Sequence, residues 1–172
     1  MFRGFSGGQF PARGFAVFIA HLPSGFLLGA LAARSTRWPR YGWHAVLIGS
    51  VFPDLDMFYF YLIDGRQTLH HEYWTHLPFF WLCVACVIGW WSLGRLFLAS
   101  VFVHLVLDSV TGGILWLWPW SDASHSLITV PPTPHGWIYS FVFHWSFWAE
   151  LAIVLVAAIV LHMRRREAQR DR

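Results

Sequence analysis

Leu96-Phe-Leu-Ala-Ser-Val-Phe-Val-His104-Leu-Val-Leu-Asp108-Ser-Val-Thr111 is the stretch whose reading decides the fold. It lies in an apolar run from about Leu96 to Trp118, long enough to cross the roughly 30 Å hydrocarbon core of a bilayer as a helix. A charged side chain at that depth costs about 2.5–3.5 kcal/mol on insertion scales, so Asp108 needs a reason to be there. His104 and Asp108 are four apart, which stacks them on one helix face. An imidazole and a carboxylate held this way suit a metal ion, a proton relay or a buried hydrogen bond.

The surrounding chain has the composition of such a protein. Of 172 residues, 56% are hydrophobic and 12% charged, with a mean hydropathy of +0.48. Soluble domains carry about twice that charge. The expected fold is therefore all-α: one integral membrane bundle of about five transmembrane helices, kinked or broken around a shared site. The 12 Trp and 16 Phe suit aromatic belts at the two membrane faces. The net charge of +3 comes from arginines at segment ends, a mark of topology and not of a nucleic-acid partner. Cys83 and Cys86 form a C-x-x-C inside an apolar run. With no second pair and no strand-turn-helix context, they read as small packing residues.

Outward from the opening stretch, the chain divides into segments. Residues 1–13, Gly-rich, are expected to be a flexible arm, residues 14–163 one membrane domain, and residues 164–172 a basic tail. The spans are expected at about 14–33, 43–63, 70–91, 96–118 and 137–163. Pro23 is expected to kink or restart the first. In the second, Pro53-Asp54-Leu-Asp56 puts two carboxylates into an apolar run. Being two apart, they point oppositely on a regular helix, so either the backbone is irregular after Pro53 or one faces away. The third opens with His70-His71-Glu72-Tyr-Trp-Thr75-His76, where His71 and His76 are also off one helical face. The longest loop, 119–136, is placed as a possible lid.

If all five segments cross, one side collects Arg34, Arg37, Arg40, Arg95 and the basic tail. The positive-inside rule puts that side in the cytoplasm of a bacterial-type inner membrane, with the N-terminus outside. His21, Asp54, Asp56, His71, His76, His104 and Asp108 then fall at similar depth near the outer face. Residues buried only as helix–helix glue would scatter over both halves. His44 and His162 read as such glue. His125 and His135 read as solvated loop residues, and Glu150 as a helix–helix contact. Thr75, His70 and His144 are placed as supporting residues behind the ligands. Imidazole and carboxylate donors suit zinc first, with manganese or iron as alternatives. Seven candidates exceed one ion's shell, so one or two divalent ions are expected.

The succession His21, Pro53-Asp54-Leu-Asp56, His71-x-x-x-Thr75-His76 and His104-x-x-x-Asp108 followed by Thr111, glycines and Leu117-Trp-Pro119 resembles the YdjM-type membrane-bound metal-dependent hydrolases. The likeness covers roughly residues 20–121. It departs from that family's usual pattern at Glu72-Tyr73, where Arg-Gly is usual, and at Leu77, where Ser is usual. The spacing is also distantly similar to zinc-dependent phospholipase C. The resemblance implies a hydrolase whose metal-activated water attacks an ester or phosphoester of a lipid-like substrate, with membrane lipid as its partner. Either Asp54 or Asp56 would bridge the ions; the general acid is left unassigned, with Glu72 as a candidate. The rival readings are an ion or metal transporter built on the same buried His/Asp cluster, a haem protein with paired His, and a bundle with no metal at all.

Overall fold

The computed structural model describes residues 19–34, 37–65, 67–68, 70–128, 130 and 137–170. The expected arm 1–13, His135 and the side chain of His70 lie outside them. The described residues form an all-α protein. Its helices are α1 (His21–Ala32), α2 (Gly42–Val51), α3 (Asp56–Leu62), α4 (Pro78–Ile88), α5 (Ser92–Thr111), α6 (Trp137–Val142) and α7 (Trp145–Arg170). Three 3-10 turns, Pro53–Leu55, His70–Glu72 and Trp74–His76, interrupt them.

Among the described residues, α5 and α7 are the helices long and apolar enough to span, and α2 with Pro53–Leu62 makes a third if that pair, bent by 52°, counts as one span; α1 and α4 are shorter than the expected crossings. At 1.5 Å per residue the 12 residues of α1 and 11 of α4 reach about 16–18 Å, short of a full crossing. The breaks have local causes. Pro53 lacks a backbone N–H and ends α2. Pro78 starts α4, so the third segment becomes helical eight residues later than the apolar pattern suggests. Pro23 is the third residue of α1, in its first turn, where no intrahelical N–H is needed, so the helix starts around this proline as the restart reading expects. The fifth segment is divided between α6 and α7 at Phe143-His144, and α7 continues through the basic tail to Arg170.

Helix α5 is the axis of the bundle and packs against α1, α2 and α4. Its buried residues Gly94, Leu98, Val101, Leu105 and Asp108 recur at three- and four-residue steps, one continuous stripe. Trp81 of α4 joins Leu98, Val101 and Leu105 in the core. On the α2 side the approach is closer still: a Cβ on Gly49 would overlap the Phe97 carbonyl and press on Ser100. Only glycine permits that spacing.

The bundle has two unlike ends. The Arg164 guanidinium donates to the Ala30 carbonyl at 3.1 Å and lies over the Trp43 ring, so the last turn of α1 sits beside the apolar limit of α7. Arg34, Arg37, Arg40 and Arg164–Arg166 gather at this end. Arg95, in the first turn of α5, is 13 residues and about 20 Å from Asp108. The ligand-type side chains occupy the opposite end. Exposed tryptophans flank α5, with Trp90 and Trp91 before it and Trp118 and Trp120 beyond it. Its 20 residues make about 30 Å, the thickness such belts bracket.

Candidate metal centre

Four separate pieces of chain deliver the polar side chains to one point. His21 is the first residue of α1, and His104 and Asp108 come from the second half of α5. Asp54 and Asp56 come from the break after α2, where the 3-10 turn removes the helical constraint that would have pointed them apart. His71 and His76 both precede α4, on the two short turns. Irregular backbone at membrane depth is tolerated where protein buries it, which fits here: Pro53, Thr75 and His76 are all buried.

Asp108 is the hub. One oxygen is 3.0 Å from His21 Nε2. The other is 3.1 Å from His104 Nε2, 3.4 Å from His76 Nε2 and 3.9 Å from His71 Nε2. Asp54 Oδ1 faces the same nitrogens, 3.6 Å from His104 and 3.9 Å from His76. Three donor sets result: His21–His104–Asp108, Asp54–His76–His104 and His71–His76–Asp108, each with its atoms within 4.8 Å of one another. Gly112 makes room for the last, since a Cβ there would overlap the His71 ring.

Asp56 occupies a different place. Its carboxylate is 2.9 Å from His76 Nδ1, on the side of the ring away from the hub, and accepts a second bond from the Thr75 hydroxyl. Thr75 is held in turn by Trp81, whose indole N–H donates to the Thr75 carbonyl at 2.7 Å. His104 Nδ1 has the corresponding contact, 2.8 Å from the Ser50 carbonyl.

These contacts set the tautomers. A carbonyl oxygen only accepts, so His104 Nδ1 carries the proton and, in the neutral ring, Nε2 presents a lone pair. The Asp56 carboxylate imposes the same on His76. The two Nε2 atoms are 3.4 Å apart, with carboxylate oxygens beside them. Lone pairs and anions converging in a buried space repel unless a cation sits among them. Ring N–H to carbonyl or carboxylate, with the other nitrogen turned inward, is also how metal-ligating histidines are usually braced. The residues fit a divalent ion.

The remaining expected residues are elsewhere. Glu72 is exposed and outside the donor sets. His144 Nδ1 is 2.8 Å from the Ser146 hydroxyl and accepts from the Ser146 N–H, which ties it to the start of α7. Cys83 and Cys86 are free and exposed on α4. The chain after α5 folds back on the donor end: the Leu127 and Ile128 N–H groups donate to the Ser109 and Val110 carbonyls at 2.8 and 2.9 Å. A cavity of about 250 Å³ lies beneath, lined by Ser109, Trp116, His125, Ser126 and Leu127. The link after α3 is pinned as well. Asp64 accepts from the Thr68 and Gln67 N–H groups; the Thr68 bond is the main cause holding its carboxyl below the usual range. Glu150, read from the sequence as a helix contact, is buried on α7.

Residues 17–168 match the family described as YdjM inner membrane protein. The chain is 31% identical over 146 residues to the inner membrane protein YbcI of Escherichia coli (strain K12), covering 70% of this chain and 83% of YbcI. No solved structure matches.

Proposed function

The chain belongs to the YdjM inner membrane protein family, and on that premise we propose that it is a membrane-embedded, metal-dependent hydrolase acting on an ester or phosphoester of a lipid-like substrate. The observation that carries the reading is the pair of inward-facing Nε2 atoms, His76 and His104, 3.4 Å apart and flanked by Asp108 and Asp54. His21, His71, His76, His104, Asp54 and Asp108 would hold the metal, zinc being the ion best suited to nitrogen and oxygen donors of this kind. His76, His104 and Asp108 each belong to two of the three donor sets, so two neighbouring ions are as well accommodated as one. Asp56 and Thr75 would keep the His76 ring in its tautomer and not ligate. A bound metal of this type supplies an activated water and polarises the oxygens of the bond to be cleaved.

Depth favours a lipid-like substrate. Asp108 is three residues and His104 seven residues from the end of α5, about 5 and 10 Å below it. That is the level at which headgroup linkages meet the hydrocarbon. The arginines at the opposite end support a cytoplasmic placement of that end under the positive-inside rule, which would turn the donor end outward. Elemental analysis of the purified protein tests the reading. At least one equivalent of metal is expected, and the double variant His104→Ala/Asp108→Ala should lose it. Less than one equivalent in the wild type, or unchanged metal in the double variant, overturns it.

A further inference from the structure

We infer that Glu150 closes the donor pocket from the α7 side and takes up the proton of the water that attacks the substrate; the inference rests on the metal-dependent reading above. Most of α7 is exposed. Its buried residues are Ser146, Glu150 and Ala157, which fall on one stripe facing the bundle. Ser146 is satisfied by His144. Glu150 is only 9% exposed, and among the described residues its Oε2 has no hydrogen-bond partner. A buried carboxylate without a partner is costly in a membrane helix, and a helix–helix contact gains nothing from it.

Its position explains the cost. Glu150 is five residues into α7, about 7–8 Å from the helix start. Helix α7 packs on α1, and Val154, one turn further along, lines a groove with Leu22 and Pro23, so Glu150 lies at the end of α1 where His21 meets Asp108. It belongs to none of the three donor sets. It therefore stands at the α7 edge of the donor cluster without belonging to it, as a general base must when a metal and a glutamate share the work. Glu72, the candidate acid of the sequence reading, is exposed.

The step balances without a further reactant. One O–H bond of the water breaks and its proton goes to Glu150 Oε2. The water oxygen bonds to the phosphorus or carbonyl carbon, and the bond from that atom to the alcohol oxygen breaks. Glu150 returns the proton to the departing alkoxide, and the second hydrogen stays with the product acid.

The test uses cobalt(II) and azide on the full-length protein in detergent at pH 8, so that position is read without a substrate. Glu150→Gln should keep its cobalt and bind azide about tenfold tighter, because a like charge beside the anion has gone. Glu150→Asp draws the charge back by one methylene and should tighten azide about two- to threefold, so it reports the same charge if the glutamine variant fails to fold. Azide affinity unchanged in the variants, with cobalt retained, overturns the role of Glu150 and leaves the metal site standing. Loss of cobalt from Glu150→Gln makes Glu150 a ligand and also overturns it. A wild type that takes up no cobalt overturns the metal site, and this inference with it.

Discussion

Asp54 and Asp56 are two residues apart in sequence, yet the geometry gives them separable duties. Asp56 holds His76 Nδ1 at 2.9 Å and receives the Thr75 hydroxyl. Asp54 Oδ1 faces His104 Nε2 at 3.6 Å and His76 Nε2 at 3.9 Å. If Asp56 only braces His76, Asp56→Ala should weaken zinc by about 10–100-fold, the usual cost of losing a group behind a ligating histidine. That is about 1.4–2.8 kcal/mol. Asp56→Asn should cost less, because an amide oxygen still accepts from Nδ1–H and preserves the tautomer. Asp54→Ala removes a donor atom itself and should exceed the range. Zinc affinity measured by competition against a chromophoric chelator gives all three values, with circular dichroism confirming the helices. Two results refute the division: an Asp56→Ala affinity within twofold of wild type, or one as weak as that of Asp54→Ala.

Three more outcomes follow from the same geometry. Gly112→Ala should lower zinc affinity with helix content unchanged, because the added Cβ displaces the His71 ring; a calorimetric titration identical to wild type contradicts this. Chelation should lower the thermal midpoint by about 10 °C if the ion is present at about a thousand times its Kd, since it then contributes about 4 kcal/mol to the folded state; equal midpoints with and without chelator would mean that no ion is bound. With Cys83 and Cys86 replaced, a cysteine at His125 should react with a membrane-impermeant maleimide from the outer face and one at Arg37 should not; the reverse pattern inverts the orientation.

The donor end was legible in the sequence because charge in an apolar run is conspicuous: Asp54, Asp56 and Asp108 announce themselves by their cost, and the structure brings them together with His21, His71, His76 and His104. The short helices were not legible. Hydropathy registers that Trp43–Ile63 and His70–Trp91 are apolar, but it is blind to whether the backbone inside them stays helical. Pro53 and Pro78 were visible as proline and still did not reveal how much chain on their flanks would leave the helix. The duty of Asp56 was equally hidden, since which side of the His76 ring it meets depends on the 3-10 turns. Glu150 sat at the right depth in the sequence, but it is more than 40 residues beyond Asp108 and on a helix whose other faces are exposed.

The short helices and the polar cluster have one physical cause. A continuous helix exposes only side chains and at most one donor per turn to a given point, so four rigid spans could bring few ligands within a few ångströms. Ending α2 at Pro53 and delaying α4 to Pro78 leaves short backbone stretches free to present Asp54, Asp56, His71 and His76 from several directions. The freed carbonyls and N–H groups cannot be left to lipid. Here the Ser50 carbonyl is taken up by His104 and the Thr75 carbonyl by Trp81, so the breaks are sealed by the residues that orient the site. Removing either partner should therefore damage the fold and the metal site together. Trp81→Phe, which keeps the ring and deletes the N–H, separates the two effects. It should leave the core volume nearly intact while loosening Thr75, Asp56 and His76 in turn. A measured loss of zinc affinity without a matching loss of helix content would locate the damage in that relay; unchanged zinc affinity would break the link between the sealed backbone and the ligand geometry.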